Sequence, residues 1–205
     1  MKQNVYQRPN KPRYITVNKR GRVAEKPRDT VAEPIVVDGF TECHVTPLDV
    51  AERMVEYLGH YGDKLTLDPQ AGTGNLIQAL YDSGHSRYEL TAIERHAGLC
   101  AHVRKRFKDD QFIDPINECF LEYAEKAVNK IEFPRIIMNP PFRKVKQHFK
   151  AALSLLGPGG HSHCVMVALV PITFDHEEAE TMEVLPNDTF PTAKVNTKII
   201  RIERY

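Results

Sequence analysis

The chain has no tryptophan and only four cysteines in 205 residues. Those four, Cys43, Cys100, Cys119 and Cys164, are scattered, with no C-x-x-C pair. Isolated thiols exclude a disulfide framework and read as the reduced cysteines of a cytoplasmic protein. Long apolar runs are missing as well. The longest, Cys164 to Val170, falls far short of the roughly 20 residues that a membrane-spanning helix needs. The N-terminus is basic and polar, without the apolar stretch of a secretory signal. No Gly-Lys-Ser/Thr follows a glycine loop and no G-x-G-x-x-G occurs, which excludes the P-loop and the dinucleotide fingerprint. His161-x-His163-Cys164 has no second pair of ligands, so no metal is expected.

What is present suits a globular domain: 41% hydrophobic and 27% charged residues, in a chain long enough for a sizeable core. The net charge of +1 hides an asymmetry. Residues 1–28 carry nine Lys/Arg, including Lys19, Arg20 and Arg22, against the single acid Glu25, a net of +8. Nineteen basic and twenty-six acidic groups remain for the other residues, a net of −7. A basic arm on a mildly acidic body fits either a polyanion partner or a solvated tail. Residues 1–38, rich in Pro, Lys and Arg, are expected to form that arm, with a short extended piece at Tyr14–Val17. Residues 39–205 are expected to form one domain.

From Thr46 onward the apolar pattern alternates between helix and strand. Thr46 suits a helix N-cap and Pro47 the first helical position, followed by Val50, Ala51, Met54, Val55 and Leu58 at helical spacing and a stop at Gly59. Strands are expected at Lys64–Leu67, Tyr88–Ile93, Gln111–Ile116, Arg135–Met138 and His163–Val170. Helices are expected between them at Asn75–Tyr81, Ala97–Phe107, Phe120–Asn129 and Lys144–Leu156, the second with Arg104, Lys105, Arg106 and Lys108 on a basic outer face. Strict alternation predicts an α/β fold, a parallel sheet with helices on both faces. At the end, strands at Met182–Leu185 and Asn196–Ile202 suggest an antiparallel closing hairpin, and Thr173–Thr181 is expected to be a mobile loop.

In such a sheet ligands bind beyond the carboxyl ends of the strands. Asp68, Glu94, Cys119 and Asn139 all fall there. The loop Asp68-Pro69-Gln70-Ala71-Gly72-Thr73-Gly74 follows an apolar strand, and its glycines allow a tight turn and close approach to a ligand. A carboxylate at Asp68 would repel phosphate and suit an amino group. Glu94, at the next strand end, suits ribose hydroxyls. A ligand with a ribose and an ammonium but no phosphate is S-adenosyl-L-methionine.

The tetrapeptide Asn139-Pro140-Pro141-Phe142 follows the apolar run Ile136-Ile137-Met138. An amide oxygen and a backbone carbonyl, stiffened by two prolines, can accept both N–H groups of a planar amine, and Phe142 offers a face for an extruded base. Arg143 and Lys144, next in line, are candidates to touch phosphates. Lys146, His148 and Lys150 read equally as phosphate contacts or as a solvated helix face.

Together these motifs resemble the class I S-adenosylmethionine-dependent methyltransferases, and more narrowly the amino-methyltransferases acting on adenine N6 in DNA. Asp68–Gly74 is similar to the family's D-P-x-A-G-T-G loop, Asn139–Phe142 to its N-P-P-F/Y, and Phe40 with Thr46-Pro47 to its F…T-P segment. The resemblance implies a Rossmann-like, seven-stranded, mostly parallel sheet. It implies a cofactor site made by Phe40, Thr46, Asp68, Pro69, Gln70, Ala71, Gly72, Gly74, Glu94, Cys119, Phe120 and Asn139, with Phe40 by the adenine ring and Thr46 near the methionine carboxylate. Catalysis falls to Asn139, Pro140, Pro141 and Phe142. Cys119-Phe120 stands where the family has Asp-Phe. The expected substrate is adenine N6 in DNA, ahead of adenine in RNA or a protein glutamine; a catalytically silent nucleic-acid-binding homologue is the non-enzymatic alternative. So few residues follow residue 170 that target recognition is expected from the arm, the 173–194 segment, a partner subunit or a homodimer.

Overall fold

A computed structural model of the chain describes residues 13–15, 35–37, 44–59, 64–190 and 196–205. Lys19, Arg20, Arg22 and Phe40 lie outside the described residues. Near the N-terminus, β1 (Arg13–Ile15) pairs antiparallel with β2 (Ile35–Val37), so Tyr14 and Ile15 of the expected extended piece lie in a two-stranded ribbon, while Thr16 and Val17 lie outside the described residues.

The remaining strands make one six-stranded mixed sheet. They are β3 (Thr66–Asp68), β4 (Leu90–Ala92), β5 (Arg135–Met138), β6 (Cys164–Pro171), β7 (Glu180–Val184) and β8 (Thr197–Arg204), in the spatial order β4-β3-β5-β6-β8-β7. The first four run parallel, and β8 is antiparallel to both β6 and β7. Among the described residues α1 (Leu48–Leu58) precedes this sheet, and α2 (Asn75–Asp82), α3 (Ala97–Arg106), α4 (Phe120–Ala127) and α5 (Val145–Leu153) lie between its strands.

Strands buried on both faces explain the continuous apolar runs, since β5 is buried throughout and β6 at every position but its last. Alternate side chains enter opposite layers. Ile136, Met138, Met166 and Ala168 pack with Phe120, Ala124, Phe149 and Ala152 of α4 and α5. Ile137, Val165, Val167 and Leu169 pack with Val50, Met54, Leu58, Leu76 and Leu80 of α1 and α2. Helices therefore cover both faces. The chain passes from β3 out to β4 and returns to β5 on the other side of β3, which opens a crevice at the carboxyl ends of β3 and β5.

Four expectations are corrected. Among the described residues the sheet has six strands where seven were expected. Segment 111–116 contributes only a single parallel bridge, Ile93 to Ile116. Asp110 Oδ1 accepts from the Phe112 amide and the Ile113 amide donates to the Asp110 carbonyl, which turns the chain, and Pro115 has no N–H for a ladder. Thr46 is not the N-cap of α1: the helix begins at Leu48 behind Pro47, which makes no side-chain cap, and the Thr46 hydroxyl is used elsewhere. Arg106 leaves the basic outer face of α3 and turns inward. Segment 173–181, expected as a mobile loop, carries buried Phe174, edge-on to Phe149 at 4.8 Å, and its last residues already belong to β7.

Phe149 holds both α5 and this segment to the sheet at 2% exposure. Phe149→Ala is expected to lower stability by about 3–5 kcal/mol, the usual cost of emptying a buried phenylalanine site. A urea melt that shifts to lower midpoint at unchanged slope would show it.

Candidate active site

The crevice is a cavity of about 560 Å³. It falls within the size range of small-molecule and cofactor sites. Five separate stretches form its walls: the segment before α1, the turn after β3 into α2, the residues from the end of β4 into α3, the start of α4, and the loop after β5 into α5.

The turn after β3 has its shape from backbone conformation and one carboxylate. Gly72 and Gly74 adopt φ of 52° and 81°, the left-handed region in which a side chain is strained. A Cβ on Gly74 would also come within 3.1 Å of the Phe107 ring. Glu94, 7% exposed at the end of β4, accepts from the Gly72 amide at 2.8 Å and from the His96 amide at 2.7 Å. Each oxygen keeps a second lone pair for a further donor, such as a hydroxyl. Burial raises the Glu94 carboxyl above its usual range, and the His96 and Gly72 amides pull it back. Arg106 closes the loop from behind, donating through Nη1 to the Thr73 carbonyl at 2.9 Å and to Asn75 Oδ1 at 2.7 Å.

Asp68 ends β3 with no exposed surface. One oxygen accepts from the Gln70 amide at 3.2 Å, and Oδ2 is buried with no hydrogen-bond partner. Burial is the main force that pushes its carboxyl up to about 7; Glu94 adds to it, and the Gln70 amide opposes. A buried carboxylate oxygen left unpaired is an unfavourable arrangement that a cationic ligand group would relieve.

Asn139 begins the loop after β5. Its Nδ2 donates to the His44 carbonyl at 2.8 Å and to Thr46 Oγ1 at 2.9 Å. A backbone carbonyl can only accept, so this contact settles which end of the amide is nitrogen. Asn139 Oδ1 is thereby left as an acceptor, buried and without a protein partner. Asn75, at the start of α2, reaches the same segment by donating to the Thr46 carbonyl at 2.7 Å. Phe142 opens a short 3-10 turn, Phe142–Lys144, and stacks on the His44 ring with centroids 4.7 Å apart and planes 17° from parallel.

Of the residues singled out from sequence, Thr46, Pro69, Gln70, Ala71, Gly72, Glu94, Cys119, Phe120, Asn139, Pro141, Arg143 and Lys144 line the cavity. Asp68, Gly74, Pro140 and Phe142 do not. The Phe142 ring is covered by that of His44.

Sequence reasoning missed His44 and Arg95 among the lining residues, and Phe190 beside them; His148, read as either a phosphate contact or part of a solvated helix face, also lines the cavity. His148 is 8% exposed rather than part of a solvated face. Its Nδ1 lies 3.0 Å from Gln70 Nε2, and its ring stacks on Phe120 at 5.9 Å. Burial, with Lys144 and Arg95 nearby, lowers it to about 4, so the ring is neutral at physiological pH and Nδ1 accepts the Gln70 proton. Helical spacing with Val145, Phe149 and Ala152 was the available signal for its inward direction. Among the described residues no cluster of three or more His, Cys, Asp or Glu could hold a metal ion, and no helix is long and apolar enough to cross a membrane.

No protein-family pattern matches the sequence, and no curated protein matches it. Solved structures do. The 23S rRNA methyltransferase ErmE aligns at TM-score 0.59 and 19% identity, over 77% of this chain and 68% of that one. TrmN from Thermus thermophilus aligns at 0.59 and 16%, over 77% of this chain and 49% of that one. The type I restriction-modification methyltransferase subunit from Streptococcus thermophilus aligns at 0.59 and 17%, over 77% and 44%. The chain thus spans about half the length of the last two. It has the α/β fold of methyltransferases.

The raised Asp68 carboxyl makes a pH prediction. A carboxyl whose folded value exceeds its unfolded one contributes stability that is whole below about 4 and lost as pH rises through about 7. Asp68→Asn, neutral at every pH, is therefore expected to gain in melting temperature over the parent as pH rises from 4, the gain levelling above 7. Melting curves of both proteins across that range are the check.

Proposed function

We propose that the chain is an S-adenosylmethionine-dependent methyltransferase acting on a planar amino nitrogen of nucleic acid, adenine N6 in DNA ahead of RNA. The observation that carries this reading is the Asn139 side chain. Its nitrogen is satisfied by His44 and Thr46, and its oxygen is held buried and unpaired beside the cavity. A preset, unpartnered acceptor at that point suits an N–H donor from a substrate.

The residues present fit the cofactor. Asp68 Oδ2 would take the ammonium, which draws the carboxyl into its ionised form. Glu94 would accept ribose hydroxyls while still holding Gly72. Pro69, Gln70, Ala71 and Gly72 would line its path, and Gly74 would keep the turn behind it. Cys119 and Phe120 would face the adenine. When bound, S-adenosylmethionine supplies an electrophilic methyl group.

The chain's own work is positional. The exocyclic amine of adenine is a poor nucleophile because its lone pair is delocalised into the ring. Asn139 Oδ1 accepts one N–H and the Pro140 carbonyl the other, which draws the nitrogen toward tetrahedral geometry. Pro140 and Pro141 keep the two acceptors from drifting. With the cofactor bound, the nitrogen would receive its methyl group as the sulfonium is released as a neutral thioether, and the nitrogen's surplus proton would pass to solvent. In a duplex the base must first leave the stack.

Arg95, Arg143 and Lys144 put positive charge at the cavity mouth. The +8 charge of residues 1–28 adds a second source of attraction for phosphates. Both favour nucleic acid over a protein glutamine as the bearer of the amine. RNA is the second reading. ErmE is named for 23S rRNA and the Streptococcus subunit for restriction-modification, and the fold likeness to the two is equal.

Methyl transfer from labelled S-adenosylmethionine to duplex DNA, single-stranded DNA, RNA and protein, run in parallel, tests the proposal. Transfer to a nucleic acid at adenine is expected; cofactor binding without transfer to any substrate would leave a silent binding homologue. Asn139→Ala should lower turnover by about a hundredfold or more while cofactor affinity, measured by calorimetry, changes little. Removing residues 1–28 should weaken nucleic-acid binding and flatten its dependence on salt; an unaltered slope would assign the arm another role.

A further inference from the structure

Phe142 is the ring on which an extruded base is expected to stack, yet its face is taken. The imidazole of His44 lies over it at 4.7 Å and 17°. That is the geometry of offset stacking between two planar rings. Phe190 stands edge-on to both, 6.4 Å from Phe142 at 87° and 6.2 Å from His44 at 70°. His44 lines the cavity, whereas Phe142 does not. The carbonyl of this same His44 accepts from Asn139 Nδ2. One residue thus orients the amide and covers the ring beside it.

We propose that the His44 ring occupies the subsite of the target base, held between Phe142 and Phe190, and gives up its place to a planar nucleobase when substrate binds. This inference rests on the reading of Asn139–Phe142 as the amine-binding loop. An imidazole is a small, planar nitrogen heterocycle, about half of a purine, so it keeps an apolar slot covered without filling it. A purine stacks over a larger area and brings an amine to Asn139 Oδ1, which imidazole does not. The exchange therefore favours the base. Because the contact to Asn139 comes from the His44 backbone, the ring can leave while the amide stays oriented. Phe190 belongs to the 173–194 segment, one of the candidates for target recognition, and here it forms the slot's edge.

Proton–carbon NMR of the histidine rings, with His44 assigned by His44→Ala, tests this on the full chain. Stacking on Phe142 should shift the His44 ring protons upfield of their positions in Phe142→Leu. Titrating the parent with a short oligo(dA) or oligo(A) should move them to the Phe142→Leu positions. His44→Ala should bind the same oligonucleotide about two- to tenfold more tightly, the range set by releasing one aromatic pair, while His44→Phe should bind no better than the parent. His44 shifts that ignore Phe142, a stack that persists with oligonucleotide bound, or weaker or absent binding by His44→Ala would each overturn the proposal. Failure of the methyltransferase reading would be seen separately, in cofactor binding and methyl transfer.

Discussion

Two asparagine side chains hold the site together. Asn75, at the start of α2, and Asn139, at the end of β5, both donate to the short stretch His44–Thr46. That stretch has no regular secondary structure of its own and lies before the first strand of the main sheet. These bonds fix its backbone against α2 and the loop after β5. With them it joins the glycine loop and the proline loop into one cavity, sets the sense of the Asn139 amide, and lays His44 over Phe142. The rest of the site is arranged around that clamp.

Electrostatics beneath the glycine loop work in the opposite direction. Asp68 and Glu94 are two carboxylates buried near each other at adjacent strand ends. Glu94 is compensated by two backbone amides that it in turn positions. Asp68 has only the Gln70 amide, and its second oxygen is unmatched. A fold optimised for stability alone would place an apolar residue there. Leaving the carboxylate uncompensated is unfavourable for the free protein and becomes favourable when a cation arrives, a common trade at binding sites.

The periodicity of buried positions made most of the fold legible. Both faces of β5 and β6 are covered, so their apolar runs stand out, and α1, α2, α4 and α5 each present one apolar stripe. Legibility failed where a tertiary contact displaced a local preference. Thr46 has the side chain of an N-cap, but Asn139 engages its hydroxyl. Arg106 sits among exposed cations in sequence, yet the carbonyl of Thr73 and the amide of Asn75 draw it inward. Segment 111–116 has the apolar content of a strand, and the Asp110 turn with Pro115 leaves it a single bridge. Phe174 lies in an acidic stretch without pattern, and only the ring of Phe149 shows why it is buried.

By itself the sequence determined the alternating sheet, the placement of Asp68, Glu94 and Asn139 at strand ends, and the stiffness of the proline loop. These follow from spacing and residue type, which act over a few neighbours. Tertiary structure alone decided which atoms are left over. That Asp68 Oδ2 and Asn139 Oδ1 lack partners, that burial keeps the His148 ring neutral, and that His44 covers Phe142 all depend on groups distant in the chain. Hydrogen-bond satisfaction and burial are properties of the packed molecule, and no local pattern encodes them.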